Sequence, residues 1–522
     1  MKKLWAAGAV LLGMALIAAA CGSSSNSSSS GNLIDKSVES AVKGGASTPT
    51  SQAVKQEPTT MDEWEALWKT EREAIVAKIK QNKWGLQSDG KTVLGPDGFK
   101  ADLSKCPAGW NSTEGLTDTE IKFGATAPSS GTAATGVYIN QAMTAILDYY
   151  SDKGLFTDSL GKKRRVNQII RDDGYDPTRT VPLMDELIDS VKVFEVQSQG
   201  SPSTFKTYEK LNQRCIPDFF NTTGHPAWGD PVNHPWTIGF LFPYNIEALI
   251  WGDLISQHLS EFPTGKMTVA ALVMNNDFGK VYDQSFKAYL AQSPNKDKIT
   301  YVTELFEPQA ATVTNEMTTL ASKKPDAFIA MLTGTPCAQS ITEAAQNGMN
   351  KTTKYKYQSI GCKSNTYVGK AAVGDASDGW YVVGGGFRDL ASSSEDNNAY
   401  GKWARELLAS RGMDYKASGY YGWGLANGWS RAQVLAVAGM LDGGLNRVNY
   451  LTAMRAMDMT PAAFFSGIRL TTSGNRDAYW VEGSEVARYD SSLQQFVQQG
   501  AIIDLSGKSK PCAWNVSVSA CE

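Results

Sequence analysis

From Thr117 onward, short apolar runs of strand length alternate with longer amphipathic segments, and this alternation restricts the fold more than any other feature of the chain. Residues 121–125, 166–171, 191–196 and 216–220 read as strands, and residues 138–150, 182–190 and 203–212 between them read as helices. A second series follows Pro243, with helices at 246–259, 281–291 and 312–322 and strands at 267–274, 299–304 and 327–332. Strand and helix in alternation predict parallel sheets covered by helices, so the expected class is α/β with two consecutive doubly wound lobes. Such sheets hold ligands outside the carboxyl ends of their strands. The loops that follow these strands are therefore where a site is expected.

The segment before this series sets the compartment. Lys2 and Lys3 precede residues 4–20, which carry no charge, a basic region followed by a secretory apolar region too short and wrongly flanked for a membrane span. Ala18-Ala19-Ala20-Cys21-Gly22 then resembles a bacterial lipobox, in which Cys21 would carry the lipid; Ala18 stands where that motif usually has Leu or Val. The alternative is a plain signal peptide with a chance cysteine. Residues 23–30 read SSSNSSSS and, with the polar stretch to 60, predict a flexible tether over 21–60. Thr60-Met61-Asp62-Glu63 resembles a capping box, opening a helix with Trp64, Leu67, Trp68, Ile75 and Ile79 on one stripe until Gly85. This helix belongs to an extension over 61–116 and is expected to pack on the main body rather than on a partner. No later stretch is long and apolar enough to span a bilayer; 434–441 is the best and is far too short.

Composition matters mainly for what it excludes. With 42% apolar and 20% charged residues the chain has ordinary globular usage, and 50 Lys+Arg against 53 Asp+Glu leave no basic excess for nucleic acid. Catalytic signals are also missing. Asp172 and Asp173 are neighbours on a strand and point to opposite faces, so they suit loop ordering better than one shared acid/base or metal site. His225, His234 and His258 are not spaced as zinc ligands, and neither Cys-x-x-Cys nor G-x-S-x-G occurs. Residues 276–280 lack the glycines a phosphate loop needs. The reading is a non-enzyme without cofactor or metal.

The loops carry an ordered set of motifs. Ile121-Lys122-Phe123-Gly124 with Pro128-Ser129-Ser130-Gly131 is followed by Arg171-Asp172-Asp173-Gly174-Tyr175-Asp176-Pro177 and Gly200-Ser201-Pro202-Ser203. Then come Ile216-Pro217, Thr222-Thr223-Gly224, Asn276-Asp277-Phe278-Gly279-Lys280 and Asp378-Gly379-Trp380. Over 117–500 this set resembles the branched-chain amino-acid binding proteins of ABC importers, and Cys106 with 225–231 is similar to lipoproteins of actinobacterial relatives. The resemblance implies a type I periplasmic-binding-protein fold, two lobes joined by three crossovers and closing on a small solute. Lobe 1 would take 117–240 and 384–465, lobe 2 would take 241–383 and 466–505, and 506–522 would be a disulfide-closed tail. Residues 415–429 would return to lobe 1 ahead of a buried helix at 430–441.

The same resemblance implies a monomer held at the outer face of the cell membrane by its lipid, delivering a small polar solute to permease subunits. A sensory lipoprotein reporting occupancy to a membrane signalling partner is the alternative. The α-carboxylate would be gripped in lobe 1 by Ser198, Gly200 and Ser201 at one strand end and Thr222 and Thr223 at the next, because oriented neutral donors hold an anion without a competing counter-charge. For Ser201 and Thr223, capping or turn formation is the competing role. Tyr244 and Phe278 would form aromatic walls from lobe 2, with core packing as the competing role. Relatives place an acid after the strand equivalent to 355–360 to meet the ligand's ammonium; residues 359–364 contain none, unless one is supplied from elsewhere. Thr333, Thr335 and Lys363 are the groups expected there instead, favouring a solute without a free ammonium or one with extra acceptors for Lys363, its carboxylate or amide end in lobe 1. Of the six cysteines after Cys21, Cys337 and Cys362 follow neighbouring strand ends, Cys512 and Cys521 bracket a short terminal loop, and Cys106 is left with Cys215.

Overall fold

The computed structural model describes residues 57–517 and 519–521. Cys21, the leader and most of the tether lie outside the described residues. The first sheet contains β1 (Glu120–Ala127), β2 (Arg165–Asp172), β3 (Glu195–Ser198), β4 (Asp218–Asn221) and β5 (Thr237–Gly239), all parallel in the order β2-β1-β3-β4-β5. The second contains β6 (Met267–Met274), β7 (Ile299–Phe306), β8 (Ala327–Met331), β9 (Tyr355–Gln358), β10 (Tyr381–Val383), β11 (Gly483–Asp490) and β12 (Gln495–Asp504). Its order is β7-β6-β8-β9-β10-β11-β12, parallel as far as β10 and antiparallel for the last two pairings. β6 and β8 are buried on both faces, which is why they read as continuous apolar runs rather than as alternation.

The chain crosses between the sheets three times: after β5, after β10 and again before β11. The middle excursion carries three helices, of which α10 (Tyr420–Met440) is buried along nearly its whole length. With the helices α1 (Met61–Gln81), α2 (Val137–Asp152), α3 (Pro177–Asp185), α4 (Ser201–Gln213), α5 (Tyr244–Gln257), α6 (Asp277–Gln292), α7 (Thr314–Ser322), α8 (Pro336–Gln346), α9 (Ala399–Ser410) and α11 (Arg447–Met454), it completes the layers on the two sheets.

Two segments differ from the sequence expectation. The helix expected at 430–441 starts earlier: α10 is one helix from Tyr420, taking in most of 415–429. Its glycines are a crossing surface rather than breaks: a Cβ on Gly424 would stand 2.1 Å from the Ile139 carbonyl oxygen, and one on Gly428 would stand 2.4 Å from Ile146 Cγ2, both on α2. Second, α3 starts at Pro177 instead of 182, because the Asp176 side chain accepts from the Thr178 N–H and Pro177 occupies the first turn. A wider turn, Glu186–Val191, follows and ends at Lys192 in the left-handed region. Residues 191–194 therefore belong to this connection and β3 starts later, with Val193 joining Met184, Leu187 and Ile188 in a satellite cluster.

α1 docks on α10. Thr60 Oγ1 accepts from the Glu63 N–H at 3.2 Å, but the Glu63 carboxylate reaches Thr59 rather than the Thr60 amide, so the capping box is half formed. Trp64, Trp68, Ile75 and Ile79 are buried, and Leu67 is half-buried. The Trp68 ring lies 5.2 Å from Trp429, its Nε1 donates to the Thr460 carbonyl at 2.8 Å, and Arg72 Nη1 donates to Gln433 Oε1 at 2.5 Å. Disulfides join Cys106 to Cys215, Cys337 to Cys362 and Cys512 to Cys521. The second follows from the parallel pairing of β8 with β9, which sets their carboxyl ends side by side.

Candidate functional site: the cleft between the lobes

The carboxyl ends of β1, β3 and β4 in lobe 1 face those of β6, β8 and β9 in lobe 2. Between them lies a cavity of about 40 Å³, room for a few water-sized groups. Lobe 1 contributes Pro128, Gln199, Gly200 and Thr222, and lobe 2 contributes Tyr244, Phe278, Thr333 and Gly361. Tyr175, Tyr367, Tyr420 and Trp423 complete the aromatic lining, and no charged side chain reaches the cavity. The lobes touch around it: the Thr335 N–H donates to the Thr132 carbonyl at 2.9 Å, the Tyr420 hydroxyl donates to the Gly361 carbonyl at 2.6 Å, and the Thr135 and Tyr367 hydroxyls bond to each other. Gly334 is required at this contact, since its φ is +77° and a Cβ would stand 2.4 Å from Thr132 O.

Of the nine residues expected to bind ligand, five line the cavity. Gly200 (φ +95°) is the N-cap of α4 and Thr222 directly follows β4; the Thr222 hydroxyl accepts from Gln197 Nε2 at 2.7 Å. Tyr244 stacks on Tyr282 with centroids 4.7 Å apart and meets Phe278 edge to face at 5.2 Å, so these two serve as wall and as packing at once. Thr333 lies opposite, its hydroxyl 3.5 Å from the Gly361 carbonyl. Ser198, Ser201 and Thr223 sit behind the wall. The Ser198 hydroxyl meets Thr207, and those of Ser201 and Thr223 bond each other at 2.8 Å, while Thr223 Oγ1 also accepts from the His225 amide. For these hydroxyls the structure shows turn and packing roles.

Lys363 corrects the expectation most plainly. Its ammonium is buried away from the cavity, paired with Glu485 Oε1 at 2.5 Å and donating to the Phe387 and Gly384 carbonyls at 2.9 and 3.3 Å. It ties β9's exit to the two crossovers and presents no donor to a solute. One acid that reaches the segment after β9 is Glu247, whose carboxylate accepts from the Ile360 N–H at 2.8 Å and the Tyr282 hydroxyl at 2.5 Å. Burial pushes its pKa well up. It stands behind the aromatic wall, so it does not supply the missing counter-charge at the cavity surface.

Sequence reasoning missed Tyr175. Asp172 accepts from the Ser129 and Gly174 amides, and Asp173 accepts from the Tyr175 amide, Thr180 and Ser203, which is the loop-ordering role expected of the pair. Burial raises the Asp173 pKa. The ordered loop holds Tyr175 at φ +62°, a conformation uncommon for a side chain of that bulk. Its ring covers the start of α4: a Cβ on Gly200 would fall 2.3 Å from Tyr175 Cε2. Among the described residues no cluster of His, Cys, Asp and Glu could hold a metal ion, and no helix is long and apolar enough to cross a membrane.

Residues 120–484 match the family model described as periplasmic binding protein. No curated protein sequence matches. Among solved structures, a fatty acid ABC transporter substrate-binding protein from Thermomonospora curvata is 16% identical with a TM-score of 0.62, over 76% of this chain and 95% of that one. A branched-chain amino acid ABC transporter protein from Thermus thermophilus with bound valine is 14% identical with a TM-score of 0.63, over 74% and 97%. A solute-binding protein from R. palustris in complex with benzoate is 16% identical with a TM-score of 0.59, over 76% and 99%.

Proposed function

Since the chain belongs to the periplasmic binding protein family, we propose that it is a lipid-anchored solute receptor on the outer face of the membrane, delivering a small polar solute to the permease subunits of an ABC importer. The observation that carries this reading is the cavity itself, lined from both lobes at the carboxyl ends of their strands and closed by contacts across the cleft. A solute seated there touches both lobes at once, so it binds the closed form more tightly and shifts the open–closed equilibrium toward it. The solute carries a carboxylate or amide end toward Gly200 and Thr222, and its body lies against Tyr244 and Phe278. It lacks a free ammonium, because burying one against a wall without any acid would cost several kcal/mol.

Mass spectrometry of the denatured, purified protein tests the reading by identifying a retained solute. Recovery of one small solute that rebinds stoichiometrically and compacts the protein in solution scattering is expected. Turnover of that solute, or the same scattering profile with and without it, would remove the receptor assignment.

A further inference from the structure

We infer that the base of lobe 2, the end of its sheet opposite the cleft, docks on an anionic phospholipid bilayer; of the reading above, this rests only on the lipid anchor. β7, β6, β8 and β9 are adjacent and parallel, so their amino ends form one face, built from the connections that enter them. Residues 258–266, 293–298, 322–326 and 347–354 hold seven lysines, three acids and no arginine, and all seven lysines are exposed. Two of the acids are already engaged. Glu261 is taken by Lys354, the Tyr355 hydroxyl and the His258 ring, and Asp326 accepts from the Thr268 N–H at 2.8 Å. Only Asp297 remains beside Lys266, Lys296, Lys298, Lys323, Lys324 and Lys351, and none of these six forms an ion pair among the described residues.

Set in this face, between the entries to β6 and β7, is a hollow of about 420 Å³. Lys266, Lys298, Ser260, Thr264 and Asn295 line it and no carboxylate does, so it offers ammonium, hydroxyl and amide donors to a phosphodiester headgroup. The six lysines are spread over four strand entries about 4.8 Å apart. They do not converge on one small anion, and they match a surface whose negative charges repeat. Lysine suits that occupant, being a flexible, hydrated point charge where arginine is a planar fork for bidentate capture. The whole chain carries a net charge of −3, so its overall charge opposes approach to an anionic membrane and the attraction has to be local. The tether over 21–60 reaches up to about 130 Å when extended, longer than a folded body of this size is wide, so the lipid alone does not choose which face meets the membrane. The lysines make that choice, and they leave the cleft about 25 Å away, at the other end of the eight-residue β6.

Vesicle flotation of the chain from Gly22 onward, which keeps every described residue and lacks the leader and Cys21, tests this without help from the lipid. At low ionic strength it should bind vesicles of phosphatidylcholine and phosphatidylglycerol in equal parts, leave vesicles of phosphatidylcholine alone, and come off in high salt. Lys323→Gln with Lys324→Gln, and separately Lys266→Gln with Lys298→Gln, should each weaken binding about thirtyfold. Lys91→Gln with Lys100→Gln, an exposed pair on the N-terminal extension with the same change of charge, should leave binding unaltered. Unfolding midpoints should stay at the parent's in all three variants, since none of these lysines is ion-paired in the fold. No binding to the anionic vesicles overturns the inference, and so does equal binding to both compositions. Equal weakening by the control pair assigns the attraction to net charge. Release by glycerol phosphate, at an ionic strength where sodium chloride does not release, assigns the hollow to a small anion; either outcome removes the docking face. Solute is measured in none of these arms, so the receptor reading stands or falls with the retained-solute experiment alone.

Discussion

Asp218 opens β4 under the lobe 1 sheet, and its environment makes a pH-dependent contribution to stability. It is fully buried, its Oδ1 has no partner, and burial raises its pKa to about 7, against the opposing effect of the Arg431 guanidinium. Because the folded value lies above the unfolded one, this group favours the fold fully only below the ordinary carboxyl range. That contribution is lost as pH rises through 4 to 7 and is constant above. A single carboxyl of this kind changes stability by up to about 1.4 kcal/mol per pH unit in that window. Asp218→Asn should abolish its share, so the variant should gain on the parent between pH 4 and pH 7 in urea denaturation and run parallel above. A difference that does not vary with pH would show that Asp218 is ionised throughout. The same scale marks a limit of sequence reading. Asp172-Asp173 could be assigned a loop role because neighbouring strand positions face opposite ways. The exposure of the Tyr175 ring to the cleft could not be read, since nothing in Asp-Gly-Tyr-Asp-Pro distinguishes a ring over a helix start from a surface aromatic.

At the level of elements, the legible parts were those whose burial is symmetric. β6 and β8 are covered on both faces and announced themselves as uninterrupted apolar runs, and their parallel neighbours could be ordered well enough to bring Cys337 beside Cys362. The buried helix expected at 430–441 is the C-terminal half of α10, and its true start at Tyr420 lies in a stretch where three of the four glycines of its 21 residues weaken the propensity signal. The tertiary contact with α2 reverses their meaning. Gly424→Val should therefore destabilise although valine is the better helix former of the two, since its Cβ collides with backbone at Ile139 rather than with a movable side chain. A loss of about 1–3 kcal/mol in urea denaturation is expected for such overpacking. No loss, or a gain, would mean that α2 and α10 separate at little cost. On the outer side of α10, Trp68→Ala should cost about 3–5 kcal/mol, because that ring is fully buried against Trp429 and its Nε1 is bonded to Thr460. If α1 were a detachable appendage, the unfolding midpoint would stay where it is.

Across the whole molecule, three crossovers join the lobes, and Lys363 shows why part of this arrangement stays hidden in a sequence. Its partner Glu485 is 122 residues away, on the strand that returns to lobe 2 after the excursion through α9, α10 and α11. Without that pairing in view, a lysine after a strand end looks like a ligand group. In the fold, Glu485 also accepts from the Gly386 N–H at 2.7 Å, and the Gly385 N–H donates to Ser484 Oγ at 2.9 Å, so one buried network joins β9's exit to two of the crossovers. Lys363→Met leaves Glu485 buried with its amide contact but no counter-charge, and should lower stability by about 3–5 kcal/mol. Lys363→Met with Glu485→Gln removes both charges, and should recover a large part of the loss because the remaining amide can still accept from Gly386. Solute affinity separates the two roles of Lys363. A hinge tie predicts that the folded single variant binds its solute within about tenfold of the parent, a shift of no more than about 1.4 kcal/mol in the open–closed balance. A ligand-binding lysine predicts the reverse pattern, near-normal stability with binding abolished. Denaturation and titration on the same two variants therefore distinguish a charge that holds the lobes together from one that holds the solute.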